Sequence, residues 1–380
     1  MTPLTQDDLP PDAGGWREGD PIGHRRFAAV GTIRLESGQQ IPDVRIGYET
    51  WGTFDGGNAV LILHALTGDS HVTGPAGPGH PTAGWWDAVV GPGRPIDTDR
   101  WYVVAANILG GCQGSTGPSS VAPDGAPWGS RFPELTVRDQ VAAEVALADE
   151  LSIDSWAAVI GGSAGGMRAL EWAIEHPQRV QRLLLLASSA QASADQIALS
   201  SIQQAAITAD QHFAGGDYYL TDHAPNAGLA VARRLAHYSY RSAPEFDQRF
   251  GREHQPNRDG GSAPYSVTSY LEHHGVKLAR RFDANSYLVL TRAMDSHDVG
   301  RGRAGVPAAL ARITARTAVA GIDSDRLYPL AQQEELAELI PSAGPLAVIN
   351  SMHGHDGFLI ESEQVGRIIS DLLGSVVAGR

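Results

Sequence analysis

Ser163 stands in the run Gly161-Gly162-Ser163-Ala164-Gly165, after the apolar stretch Trp156-Ala157-Ala158-Val159-Ile160 and before a helical pattern. Glycines around a serine at such a junction permit a sharp strand-to-helix turn, which lifts the hydroxyl above a sheet and aims backbone N–H groups at a developing oxyanion. Met167, Leu170 and Ile174 are spaced to share one helix face, and Pro177 stops the run after His176. The hydroxyl is thus expected at a helix N-terminus, where backbone dipoles favour negative charge, and its expected role is that of a nucleophile. A phosphate loop does not fit, because no Gly-Lys-Ser/Thr follows and the Gly-x-Gly-x-x-Gly spacing is not met.

A serine hydroxyl is a poor nucleophile until a base takes its proton, and the base needs a third group to fix its tautomer. In doubly wound hydrolase-type proteins the order is serine, acid, histidine, the last two on loops after late strands. Gly321-Ile322-Asp323-Ser324-Asp325 and His353-Gly354-His355-Asp356-Gly357 both fall where that order requires. Position alone leaves Asp323 and Asp325 competing as acid, and His353 and His355 as base. The oxyanion needs two donors. One is expected from the Ala164 N–H, directly after the nucleophile, and the other from the Leu66 N–H in His64-Ala65-Leu66-Thr67-Gly68-Asp69, after an early apolar run.

The elements that must hold these groups are short apolar, β-branched runs at residues 59–63, 101–106, 156–160, 180–187, 317–320 and 346–349, with helical patterns between them. Such alternation predicts an α/β fold with a mainly parallel sheet covered on both faces. Residues 28–35 and 44–51 alternate more and predict an antiparallel start. Between residues 189 and 306 the rhythm breaks into helices and polar loops, with a Gly/Asn/Asp-rich stretch at 256–262. Ser193 followed by Gln196 fits a capping box opening a helix through Ile197, Ile202 and Ile207. An insertion of this length is read as a helical lid over the carboxyl ends of the strands, where open α/β sheets place their sites.

Composition narrows the class. With 380 residues of which 42% are hydrophobic, the chain can bury a large core. A net charge of −14 argues against nucleic-acid or anionic-membrane partners, which call for clustered positive charge. Cys112 is the single cysteine, so no intrachain disulfide forms, and it reads as a packed thiol. The first residues lack both a basic start and an apolar stretch, and no apolar run approaches the roughly 20 residues of a spanning helix. A soluble, cytoplasmic protein is the expectation. No metal site is expected, since His353, His355 and Asp356 do not supply enough independently placed ligands.

Residues 64–69, 71–87, 107–120, 161–172, 324–329 and 354–359 together closely resemble homoserine O-acetyltransferases, especially the actinobacterial form. The likeness covers nearly the whole chain, leaving residues 1–20 as an expected disordered tail. It implies an α/β-hydrolase fold with an eight-stranded, doubly wound sheet, residues 21–188 and 307–380 forming the core and 189–306 the lid. It further implies Ser163 as nucleophile, Asp325 as acid and His355 as base. Arg233 and Asp356 are implied as substrate-binding residues, suited to the carboxylate and ammonium of homoserine. The cosubstrate implied is acetyl-CoA, with no tightly bound cofactor, and the assembly a homodimer through the lid helices. One position departs from the family pattern: Ala164 stands where methionine is usual, which keeps the backbone donor and bears on the room available to the acyl group.

Overall fold

In the computed structural model, which describes residues 4–255 and 263–374, the apolar runs pair side by side as strands. The Gly/Asn/Asp-rich stretch at 256–262 lies outside the described residues. β1 (Arg26–Arg34) and β2 (Gln40–Trp51) form an antiparallel start, followed by β3 (Ala59–Leu63) and a separate small pair, β4 (Val90–Gly91) and β5 (Ile96–Asp97). β6 (Tyr102–Ala106), β7 (Ala158–Gly162), β8 (Arg182–Leu186), β9 (Arg316–Ile322) and β10 (Ala347–Ile349) complete an eight-stranded sheet of order β1-β2-β6-β3-β7-β8-β9-β10. β2 runs antiparallel to β1 and β6, and every other neighbouring pair is parallel.

The continuous apolar character of the central strands follows from burial on both faces. Leu61, Leu63, Val159, Leu183 and Leu185 point into one core layer, while Val60, Ile62, Ile160, Leu184 and Leu186 point into the other. The first layer is closed by α1 (Val137–Glu150) and α2 (Ala164–Glu175), where Trp172 meets Trp156 edge to face. Between β8 and β9 the chain forms α3 (Ala194–Thr208), α4 (Asn226–Tyr240), α5 (Ala243–Phe250), α6 (Ser266–Ala279) and α7 (Ala284–Asp295). After α8 (Val306–Leu310), α9 (Leu330–Leu339) and α10 (Gly357–Ile360), α11 (Ser362–Leu373) closes the second layer through Val365, Ile369 and Leu372. No helix among the described residues is long and apolar enough to cross a membrane.

Two local readings need refinement. The Ser193–Gln196 capping box opens α3, yet of its three isoleucines only Ile207 is buried; Ile197 and Ile202 are 40% and 55% exposed. Residues 4–20, expected as a disordered tail, are instead stitched to the body. Leu4 donates to His273 Nδ1 at 3.0 Å, the Ala224 N–H donates to Pro11 O at 2.8 Å, and the Trp16 N–H donates to Cys112 O at 2.8 Å. Trp16 is buried beside Phe27, so an aromatic anchor and hydrogen bonds to the helical insertion override the polar, proline-bearing composition.

Candidate active site

The turn between β7 and α2 forces Ser163 to φ 56°, ψ −123°, a conformation L residues rarely adopt. It survives because the chain is clamped on both sides. The Ser163 N–H donates to Leu186 O at 2.9 Å, and its carbonyl accepts from Gly166 N at 2.8 Å and Ser188 Oγ at 3.0 Å. The glycines are steric necessities: a Cβ on Gly161 would lie 2.2 Å from Gly165 O, and one on Gly165 would lie 2.0 Å from Leu63 O. Only bare backbone lets α2 approach the strands this closely.

The candidate acid and base, Asp325 and His355, stand on the loops after β9 and β10. Asp325 Oδ2 lies 2.6 Å from His355 Nδ1, while its Oδ1 accepts from the Leu327 and Tyr328 N–H groups at 2.8 and 2.9 Å. Both side chains are buried. Burial pulls the His355 pKa down, but the charge and hydrogen bond of Asp325, with Asp356 adding, leave it above the ordinary histidine value. The ring is held by Tyr328, stacked at 5.0 Å, and by the edge of Phe358 at 5.5 Å. The competing pair does other things. Asp323 is exposed and accepts from the Ser351 N–H at 3.0 Å, tying the two loops together; His353 Nδ1 faces Glu245 Oε1 at 3.3 Å.

Ser163 and His355 line one cavity of about 170 Å³, together with Leu66, Thr67, Arg233, Tyr240, Arg281 and Asp356. Among the described residues, neither the Leu66 nor the Ala164 N–H has a hydrogen-bond partner. The orientation of the Leu66 N–H follows from the other end of the same peptide. The Ala65 carbonyl is held by Gly68 N at 2.9 Å and by His64 Nδ1 at 2.7 Å, and in a trans peptide the N–H points opposite to the C=O. His64 Nε2 accepts from the Ile108 N–H at 3.2 Å, which places the ring proton on Nδ1, aimed at Ala65. Burial, with the Arg168 charge adding, drives the His64 pKa down to about 3, so the ring stays neutral. Arg168 on α2 donates to His64 O at 2.5 Å and pairs with buried Glu144, linking α2 to the loop that carries Leu66. Sequence reasoning passed over His64, although its place directly before Ala65-Leu66 at a strand end was the available signal.

The helical insertion supplies the polar far wall. Arg233 on α4 donates to Thr67 Oγ1 at 3.3 Å, with its guanidinium 5.2 Å from the Tyr240 ring centre. Asp356 Oδ2 meets Arg241 Nη2 at 3.1 Å. Burial raises the Asp356 pKa, opposed by the charges of Arg241, His355 and Arg233. A cationic group and a carboxylate thus face one space beside the serine.

The one group with metal-ligand composition among the described residues is Glu49, His71 and His80, buried beneath the oxyanion loop and outside the cavity. Its two imidazoles stack at 3.9 Å with planes 11° apart, so their in-plane lone pairs do not converge on one point. His80 Nε2 already accepts the His24 N–H at 3.0 Å. His71 Nδ1 in turn lies 3.0 Å from Glu49 Oε2, so hydrogen bonds tie the three side chains together.

A family profile described as the alpha/beta hydrolase fold matches residues 58–360. The homoserine O-acetyltransferase of Thermobifida fusca is 60% identical, over 97% of this chain and 100% of that protein. The chain belongs to the homoserine O-acetyltransferase family. A solved homoserine O-acetyltransferase from Bacillus anthracis superposes with a TM-score of 0.83 at 25% identity, covering 94% of this chain and 99% of that one. Esterase E22 superposes equally well, with a TM-score of 0.83 at 29% identity, covering 92% of this chain and 99% of its own. The homoserine O-acetyltransferase family therefore shares its scaffold with an esterase, and fold alone does not separate the two chemistries.

Proposed function

We propose that the chain transfers an acetyl group from acetyl-CoA to the hydroxyl of L-homoserine by way of acetyl-Ser163. The convergence of Ser163, the His355–Asp325 pair, Arg233 and Asp356 on a single cavity carries this reading. Neutral His355 takes the Ser163 proton as Oγ attacks the thioester carbonyl. The Leu66 and Ala164 N–H groups hold the tetrahedral oxyanion, and coenzyme A leaves as its thiol with the proton from His355. Homoserine then enters, Arg233 on its carboxylate and Asp356 on its ammonium. Its hydroxyl gives a proton to His355 and attacks the acyl carbon, regenerating Ser163 and releasing O-acetyl-L-homoserine, an intermediate toward methionine. Acetyl-CoA acts as cosubstrate, and no tightly bound cofactor enters the scheme. A cytoplasmic homodimer joined through α3 and α4 suits the exposed Ile197, Ile202, Val231 and Tyr238 on those helices.

Intact-protein mass spectrometry after mixing with acetyl-CoA alone tests the scheme. One acetyl should appear on Ser163, be discharged by added homoserine, and be missing in Ser163→Ala, whose turnover should fall about 10³-fold or more. Acetyl loss that homoserine does not accelerate assigns the protein to ester hydrolysis instead.

A further inference from the structure

Arg281, in the short link between α6 and α7, lines the same cavity as Arg233 of α4. Its Nη2 donates to Thr67 O at 2.9 Å, while Arg233 Nη1 donates to Thr67 Oγ1 at 3.3 Å, so two guanidinium groups close on one residue of the oxyanion loop. Among the described residues neither has a carboxylate partner. Asp69 acts on Arg281 only through longer-range charge, and Asp356 is engaged by Arg241. Burial lowers the Arg281 pKa; Asp69 opposes the fall and Arg233 adds to it. Two half-buried cations held on one residue without a counter-charge are unfavourable by themselves, and an anion placed between them relieves the repulsion.

The position of Arg281 is fixed by its backbone. Its carbonyl accepts from Gln113 Nε2 at 2.7 Å, Gln113 Oε1 accepts in turn from buried Arg25 at 2.9 Å, and the Arg281 N–H donates to Leu278 O at 2.9 Å. A guanidinium carries five N–H donors, and one contact with Thr67 leaves the others for a ligand.

Resting on the acyl-transfer reading above, we propose that Arg281 is a second carboxylate-binding residue, forming with Arg233 a two-guanidinium cradle for the α-carboxylate of the acceptor. The cradle selects carboxylate-bearing amino-acid alcohols over alcohols without a carboxylate and over water. It sets the acceptor's affinity and takes no part in acylation by acetyl-CoA.

The test compares wild type, Arg281→Ala and Arg281→Lys in the two half-reactions. Acetylation of Ser163 by acetyl-CoA alone should stay within about twofold in both variants, because the thioester does not use the cradle. The KM for L-homoserine should rise about 10- to 100-fold in Arg281→Ala with kcat little changed, and by less in Arg281→Lys, which keeps a charge without the fork. L-homoserinamide, lacking the anion, should be a poor acceptor for wild type, and Arg281→Ala should lose most of that discrimination. If Arg281→Ala acetylates slowly from acetyl-CoA, Arg281 is a support for the Thr67 loop and the proposal is overturned. Wild-type transfer to homoserine with an unshifted KM in Arg281→Ala overturns the cradle alone. A wild-type protein that transfers nothing to homoserine sinks the cradle together with the functional reading beneath it.

Discussion

Among the described residues, two buried imidazole–carboxylate pairs are joined through the imidazole Nδ1. In one, His355 Nδ1 meets Asp325 at 2.6 Å; in the other, His71 Nδ1 meets Glu49 at 3.0 Å. In both, burial pulls the imidazole pKa down and the carboxylate more than restores it, leaving the histidine above its ordinary value. What separates them is the second ring nitrogen. His71 Nε2 donates to Pro75 O at 3.3 Å, and the ring stacks on His80, so the imidazolium has no free site and no nucleophile beside it. His355 Nε2 has no hydrogen-bond partner among the described residues and shares a cavity with Ser163. A histidine–carboxylate pair can serve as a base only where the second ring nitrogen is left unpaired toward a reacting group; fully bonded, the same pair is a bracket. Glu49 also accepts from Ser70 Oγ at 2.7 Å, and Asn107 accepts the Ser70 N–H at 2.7 Å, so this bracket sits under the oxyanion loop.

The contrast is broken most directly by replacing each histidine. His355→Asn should lower acetyl transfer about 10³-fold or more while the protein stays folded, whereas His71→Asn should leave turnover within about tenfold. Equal losses in the two variants, measured as acetyl-Ser163 formation, would remove the distinction. A smaller effect, on stability, runs the other way. Glu49→Gln leaves the His71 imidazolium buried without its carboxylate and should cost about 3 kcal/mol in urea unfolding, with Ser163 still acetylated. An unchanged unfolding midpoint would show that Glu49 is no bracket.

The smallest and sharpest effect is on the pH profile. His355 works as a base only when neutral, and Asp325 holds its pKa above the ordinary value, so acetylation should rise with pH through a midpoint above that of a free histidine. Below the midpoint the ring is protonated and the serine keeps its proton. His71→Asn should leave the midpoint in place. A midpoint that moves with His71 would show that the two pairs titrate as one system.

The nucleophile turn, the parallel sheet and its antiparallel start were legible because each rests on local pattern: glycines at a junction, β-branched runs, a proline stop. The two late loops were found by position, but choosing Asp325 over Asp323 and His355 over His353 took family resemblance. The physical reason for the choice lies in burial and facing direction, which spacing does not encode. The Glu49–His71–His80 stack joins a β2 residue to a loop, and no periodicity links them. Arg281 was equally silent, one arginine among many until α6 and α7 bring it opposite Arg233. Residues 4–20 misled because their composition is that of a tail, while their anchoring depends on Trp16 and on hydrogen-bonding groups from helices far along the chain.

The positive φ of Ser163 has a consequence for how this protein can change. A serine held in that region stores roughly 1 kcal/mol or more of backbone strain, kept in place by neighbours with no room for even a methyl group. Under the proposed function the reacting hydroxyl therefore sits at a point of mechanical tension, and glycine, which relaxes it, removes that hydroxyl. Substitutions that make the elbow more comfortable and substitutions that keep it working are mutually exclusive there, so added robustness in such a chain has to come from parts of the molecule remote from the turn.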